Sequence, residues 1–258
     1  MNVRLSLLAS LAKFVLIATM LLSTVTGWAA PNRDMRGVSD ISGSMKETDP
    51  ANLRAPALRL LTELIGQGTE AGVWTFGQWT NMLVKHGRVD ARWKDMARRE
   101  SANINSVALF TDIGQALDAA SRSWKEPDPE QQRTLILLTD GRVDISKQAD
   151  KNAIARQHLL GPMLDRLKEL QVRIYPIGLS ENVDRELLEV LAHETQGSFQ
   201  TASSADDLYR VFINILEQST QANSLPIHAG GFLVDPSVEE PNIVGCRAPA
   251  APPTAPRA

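Results

Sequence analysis

Asp40, Ser42 and Ser44 alternate with Ile41 and Gly43 in one five-residue string. In a loop leaving a strand, a short carboxylate and two hydroxyls at this spacing can aim three oxygen donors at one point. Hard divalent cations such as Mg²⁺ take such donors in near-octahedral geometry and usually retain several waters. The same string also suits a Ser/Gly-rich turn with Asp as its cap, so the rest of the chain has to decide between the two.

Two later segments bear on that choice. Residues 110–117 (FTDIGQAL) form a polar turn that opens an amphipathic helix, and residues 134–141 (TLILLTDG) form an apolar run ending in an acid and a glycine. An apolar run of that length between turn signals reads as a parallel strand buried on both faces. Asp140 then stands at the strand's carboxyl end, where open α/β sheets place their ligands.

With these segments in this order, the chain resembles a von Willebrand factor A (vWA) domain with a metal-ion-dependent adhesion site, over residues 33–221. The site of that family is D-x-S-x-S, a distant Thr and a distant Asp. The matching positions here are Asp40, Ser42, Ser44, Thr111 and Asp140. The resemblance implies that Mg²⁺, or Mn²⁺ or Ca²⁺, is bound directly by Ser42, Ser44 and sometimes Thr111, with Asp40 and Asp140 often acting through water. Neutral hydroxyls leave the cation electrophilic, and its open position attracts an Asp or Glu carboxylate from a partner protein. The expected function is a non-enzymatic, metal-dependent protein-binding module of the cell envelope.

Two other readings stay open, a metal-free periplasmic scaffold and a metal-assisted hydrolase in which the ion activates water. A hydrolase needs a positioned base, most often His. His86, His158, His193 and His228 all lie outside the three segments, and no G-x-S-x-G, H-E-x-x-H or G-x-x-x-x-G-K-[ST] string occurs. Thr111 and Asp112 could both be helix caps. Thr111 is read as a ligand and Asp112 as a cap, while Asp144 is read as a solvated loop acid or cap.

Positioning these residues requires alternating strands and helices. Residues 34–39 should form the first, central strand. Gly37 and Ser39 weaken it, because a strand buried on both faces is normally continuous in Val, Ile and Leu. Helical spacing marks 49–66, 89–99, 113–124, 152–170 with a kink at Gly161-Pro162, 184–194 and 204–218. Strands are expected at 71–77 and 81–84 as a hairpin, then at 134–140, 172–178 and 198–201. The fold class is therefore α/β, a doubly wound, mostly parallel six-stranded Rossmann-like sheet with helices on both faces. If the strand order is 3-2-1-4-5-6, Asp40 and Asp140 end neighbouring strands at the switch point. Two carboxylates about 5 Å apart repel by roughly 3 kcal/mol at an effective dielectric of 20, and a divalent cation removes that repulsion.

At 258 residues the chain suits one large domain with appendages. Its formal net charge of −3 leaves no electrostatic footprint for nucleic acid. Residues 1–29 read as a signal peptide: a basic start, an apolar stretch and a small-x-small end at Gly27-Trp28-Ala29. This implies an exported, periplasmic protein. The alternative is an uncleaved inner-membrane anchor through residues 5–28, which would make the membrane a partner. Cys246 is the only cysteine, which excludes an internal disulfide. Residues 231–234 could add a strand, but the Pro/Ala-rich tail over 222–258 is expected to be partly disordered.

Overall fold

The computed structural model of the protein describes residues 32–180 and 182–220. The signal peptide over 1–29, His228, the strand at 231–234, Cys246 and the tail over 222–258 lie outside the described residues.

Six strands, β1 (Asn32–Asp40), β2 (Glu70–Phe76), β3 (Thr80–Arg88), β4 (Gln131–Leu138), β5 (Val172–Gly178) and β6 (Gln200–Thr201), make one sheet. Their order is β3-β2-β1-β4-β5-β6, the order under which Asp40 and Asp140 end neighbouring strands. β1 pairs parallel with β2, and β5 pairs parallel with both β4 and β6. β3 runs antiparallel to β2 at the edge. The helices are α1 (Met45–Thr48), α2 (Arg54–Leu64), α3 (Ala91–Ser101), α4 (Ile113–Ser121), α5 (Ala149–His158), α6 (Leu164–Glu169), α7 (Arg185–Glu194) and α8 (Ala205–Thr220), with a π turn at Leu159–Met163 joining α5 to α6.

Alternation along the strands fills two cores, one on each face of the sheet. Ile136 and Leu138 of β4 pack with α2, α3 and α8 through Leu58, Leu61, Trp93 and Phe212. Leu135 and Leu137 pack with α4, α6 and α7 through Leu117, Leu167 and Leu188. Period-two side chains divided between two helical layers produce the near-continuous apolar strand that the sequence displayed.

β1 is central despite its polar sequence, and every residue from Asp34 to Asp40 is buried. A Cβ built on Gly37 would lie 3.4 Å from Leu58 Cδ2 and 3.7 Å from Leu61 Cδ2, so α2 lies close over this strand. The charges of β1 satisfy each other. Arg36 donates to both carboxylate oxygens of Asp34 and to the Ala120 carbonyl. Asp34 also accepts from Trp124 Nε1 at 2.8 Å and bonds His86 Nε2 at 3.0 Å. The Arg36 guanidinium lies 3.7 Å from the centre of the Trp124 ring. Burial works to raise the Asp34 pKa, but the bonds to His86 and Arg36 outweigh it and hold the carboxyl below the usual range.

Several boundaries differ from the sequence reading for identifiable reasons. The expected helix over 49–66 begins only at Arg54, as α2, because the Asp49 carboxylate accepts from Leu53 N and Arg54 Nε, both at 2.7 Å, and holds residues 49–53 in a turn ahead of it. β3 continues well past residue 84, and α3 begins only after Asp90 caps it by accepting from Trp93 N at 2.7 Å. The kink expected at Gly161-Pro162 is present, with Gly161 at φ −110°, ψ −108° inside the π turn.

Candidate metal centre

Asp40 is the last residue of β1 and is fully buried. Its Oδ1 accepts from Ser42 N at 2.8 Å, which bends the chain away from the sheet, and its Oδ2 accepts from Thr139 Oγ1 at 2.7 Å. Burial pushes the Asp40 carboxyl up to about 6; hydrogen bonds from Ser42 and Thr139 oppose that, and the neighbouring Asp140 charge adds to it. Beyond the bend, Ser42 Oγ and Ser44 Oγ lie 3.0 Å apart. Ser44 then opens α1, its carbonyl accepting from Glu47 N at 2.9 Å.

Thr111 arrives from the other side. Its N–H donates to the Asp144 carbonyl at 2.6 Å and its carbonyl accepts from Asp144 N at 3.1 Å, a two-way bridge to the loop after β4. Three residues earlier, Ala108 N donates to Ile41 O at 3.0 Å. The β2–β3 turn braces the same loop. A Cβ on Gly77 would fall 2.1 Å from Ala108 Cβ, so only glycine allows this approach. The cap of α4 is Asp112, which accepts from Gln115 N at 2.8 Å. Thr111 is therefore left free of capping, as the sequence reading had it.

Asp140 follows β4 and is 1 % exposed. Its Oδ1 accepts from Arg142 N at 3.1 Å, whereas Oδ2 is buried with no hydrogen-bond partner. The next residue has to be glycine: Gly141 adopts φ +77°, and a Cβ there would lie 3.0 Å from Leu188 Cγ.

All five residues expected from the sequence thus stand at the carboxyl ends of β1 and β4 or in the loops pinned to them. Four of them, Asp40, Ser42, Thr111 and Asp140, are buried. A buried carboxylate oxygen without a donor is costly, and the group that would satisfy it is a cation or its water. Three neutral hydroxyls and two carboxylates form an oxygen-only donor set suited to Mg²⁺, Mn²⁺ or Ca²⁺. Among the described residues no cluster of three His, Cys, Asp or Glu could hold a metal, so softer ions have no competing centre there.

Two supporting residues escaped the sequence reading. Thr139 holds Asp40 and, through the same hydroxyl, accepts from Gly141 N at 3.0 Å; its only signal was a hydroxyl next to Asp140. Arg54 is fully buried. It donates to the Asp40 carbonyl and to Ser106 Oγ, both at 2.5 Å, which ties α2 to two site loops. Nothing in its sequence context marked it.

Residues 34–212 match the family model of the von Willebrand factor type A domain. The chain belongs to the von Willebrand factor type A family. Solved structures share its fold at low identity. A von Willebrand factor type A protein from Catenulispora acidiphila superposes with a TM-score of 0.56 at 19 % identity, over 76 % of this chain and 44 % of that one. An aerotolerance-related membrane protein from Bacteroides fragilis gives 0.53 at 16 %, over 74 % and 100 %. The pilus adhesin SpaC from Lactobacillus rhamnosus GG gives 0.56 at 15 %, over 74 % and 31 %. This von Willebrand factor type A chain thus spans less than half the length of the Catenulispora and Lactobacillus proteins. A search of curated proteins found no match. No described helix is long and apolar enough to cross a membrane.

Proposed function

We propose that this protein is a non-enzymatic, divalent-metal-dependent protein-binding module of the cell envelope. Mg²⁺ is the expected ion, with Mn²⁺ or Ca²⁺ as substitutes. Ser42, Ser44 and Thr111 would hold the ion directly, and Asp40 and Asp140 would act on it through water. The ion would supply an electrophilic position for an Asp or Glu carboxylate of a partner protein.

The observation that carries this reading is the buried, unpartnered Asp140 Oδ2 just past the end of β4, the strand beside β1. Loops around the site also expose large apolar side chains, with Trp79 at 67 %, Val107 at 68 % and Leu109 at 78 %. Exposed aromatic and aliphatic groups beside a charged centre suit a protein partner. Among the described histidines none is placed as the base of a hydrolase: His86 is engaged by Asp34 at the far end of β1, and His158 and His193 are exposed on helices. A pilus adhesin and a membrane protein among the structural neighbours accord with a surface-binding role, and the basic, apolar leader accords with export.

Calorimetric titration with MgCl₂ and MnCl₂ tests the metal, with one saturable site expected. A pull-down from periplasmic extract, run with Mg²⁺ and with chelator, tests the partner. No saturable binding at millimolar metal would leave the metal-free scaffold as the better description. N-terminal sequencing should find a mature chain beginning at Ala30 or Pro31. Recovery of intact Met1 in the membrane fraction would favour the anchor instead.

A further inference from the structure

α5 has no buried residue. A ten-residue helix gains little from propensity alone and normally depends on docking an apolar face, yet the large apolar side chain of α5, Ile154, is 63 % exposed. A groove of about 540 Å³, lined in part by Asp112, Gln115, Lys151 and Ile154, separates it from α4. At its end the π turn contains Gly161, whose φ and ψ are not helical. α5 is therefore a surface helix set off by a kink, and its packing does not explain its position.

Two polar side chains on its inner face do explain it. Asn152 Oδ1 accepts from Ile145 N at 2.9 Å and Ser146 N at 3.0 Å, while its Nδ2 donates to Asp144 Oδ1 at 3.1 Å and Ser146 O at 3.0 Å. Every hydrogen-bonding position of that amide is directed at one loop. Four residues on, Arg156 Nη1 donates to Asp184 Oδ2 at 2.5 Å. Each grip leads one step further to a candidate ligand. The Asp144 backbone forms the two-way bridge to Thr111, and Asp184 N donates to the Asp140 carbonyl at 2.8 Å.

We infer that Asn152 and Arg156 are positioning residues for Thr111 and Asp140, and that α5 is an arm whose docking and the metal site's occupancy reinforce each other. The inference rests on the metal-binding reading above. With α5 docked, both loops are held in register for the cation. When a cation fixes Thr111 and Asp140, Asp144 and Asp184 are fixed too, and α5 gains two immobile anchors. Such coupling is reciprocal by linkage, so a partner that lifts α5 off would also loosen the metal.

The test combines Mg²⁺ titration with amide hydrogen exchange on wild type, Asn152→Ala, Arg156→Ala, the swap Asp144→Asn/Asn152→Asp, and Ile154→Ala as control. Outer-shell partners typically carry ten- to a hundredfold in metal affinity. Asn152→Ala is accordingly expected to weaken Mg²⁺ binding about tenfold and to speed exchange across residues 149–158 in the metal-free protein. Amides of β4 and β5 should keep their protection, which shows that the fold is intact. The swap returns an amide donor to the 144–152 contact and should recover part of the affinity, whereas Ile154→Ala should change nothing. In wild type, Mg²⁺ should slow exchange in α5. Wild-type Mg²⁺ affinity in both single variants, or α5 exchange indifferent to bound Mg²⁺, overturns the inference while leaving the metal reading intact. Absence of saturable Mg²⁺ binding in wild type overturns both.

Discussion

Thr139 donates its hydroxyl proton to Asp40 Oδ2 at 2.7 Å, joining the ends of the two central strands across 99 positions of sequence. The Thr139 hydroxyl oxygen also accepts from Gly141 N, so one side chain fixes both halves of the site. Thr139→Val keeps the shape and removes both bonds. It strands a buried N–H and leaves Asp40 with one donor fewer, and each such loss costs about 1–3 kcal/mol. Urea denaturation should register a loss of that size, and the Asp40 pKa should rise further. Unchanged stability would mean that water replaces the hydroxyl.

Asp40 also sets a pH dependence. Its carboxyl titrates at about 6 in the folded protein, against about 4 in an unfolded chain. The folded state holds a proton that the unfolded state releases, so metal-free stability falls as pH rises from about 4 to about 6 and then levels off. Two pKa units correspond to about 3 kcal/mol. Denaturation in chelator at pH 4, 5, 6 and 7 should show wild type losing this amount relative to Asp40→Asn. Parallel curves for the two proteins would show that Asp40 ionises normally. Mg²⁺ prefers the ionised carboxylate, so its affinity should climb through the same interval.

Removing ligands should separate the charged from the neutral ones. Mg²⁺ at a hundred times its dissociation constant should stabilise wild type by about 2.7 kcal/mol. Asp40→Ala and Asp140→Ala are each expected to abolish most of that gain. Asp140→Ala should in addition raise metal-free stability, since it removes a buried oxygen that has no donor. Ser42→Ala and Ser44→Ala should weaken the metal without that benefit, because the two hydroxyls satisfy each other. Thermal melts with and without Mg²⁺ distinguish the two patterns.

How much of this was legible in the sequence follows from the range of each interaction. The run over 172–178 was readable because burial on both faces dictates its composition, and β5 spans those residues. That Asp40 and Asp140 end neighbouring strands followed only on supposing the order 3-2-1-4-5-6, and β1 and β4 are neighbours. The fitness of β1 was not readable. Asp34 is paired with Arg36 two residues on, but its further hydrogen bonds come from His86 and Trp124, 52 and 90 positions away, and no local pattern announces those partners. Asp49 shows the same limit at short range, since its role as a cap shared between Leu53 and Arg54 depends on a buried guanidinium.

Gly37 is the exception within β1, a weak residue with room to improve. The space beside it permits a methyl in ordinary contact, at 3.4 Å from Leu58 and 3.6 Å from Val73. Glycine costs about 0.5–1 kcal/mol against alanine inside a strand. Gly37→Ala should therefore stabilise the fold by about that amount, read as a higher urea midpoint at unchanged slope. A lower midpoint would show that α2 cannot give way.

α8 finishes with the Gln218 side chain and carbonyl bonded to Ser198 and Arg173, which stand just ahead of β6 and near the start of β5. The domain's last described helix therefore ends at the edge of the sheet remote from Asp40 and Asp140. A partner held at the site would pull on the tip of β1, along that strand's own axis and away from this end. β1 lies between β2 and β4, so tension would load its flanking ladders in shear, with many hydrogen bonds sharing the force at once instead of peeling one by one. A grip placed at the tip of β1 would suit mechanical load, because that strand, like β4, is paired on both sides.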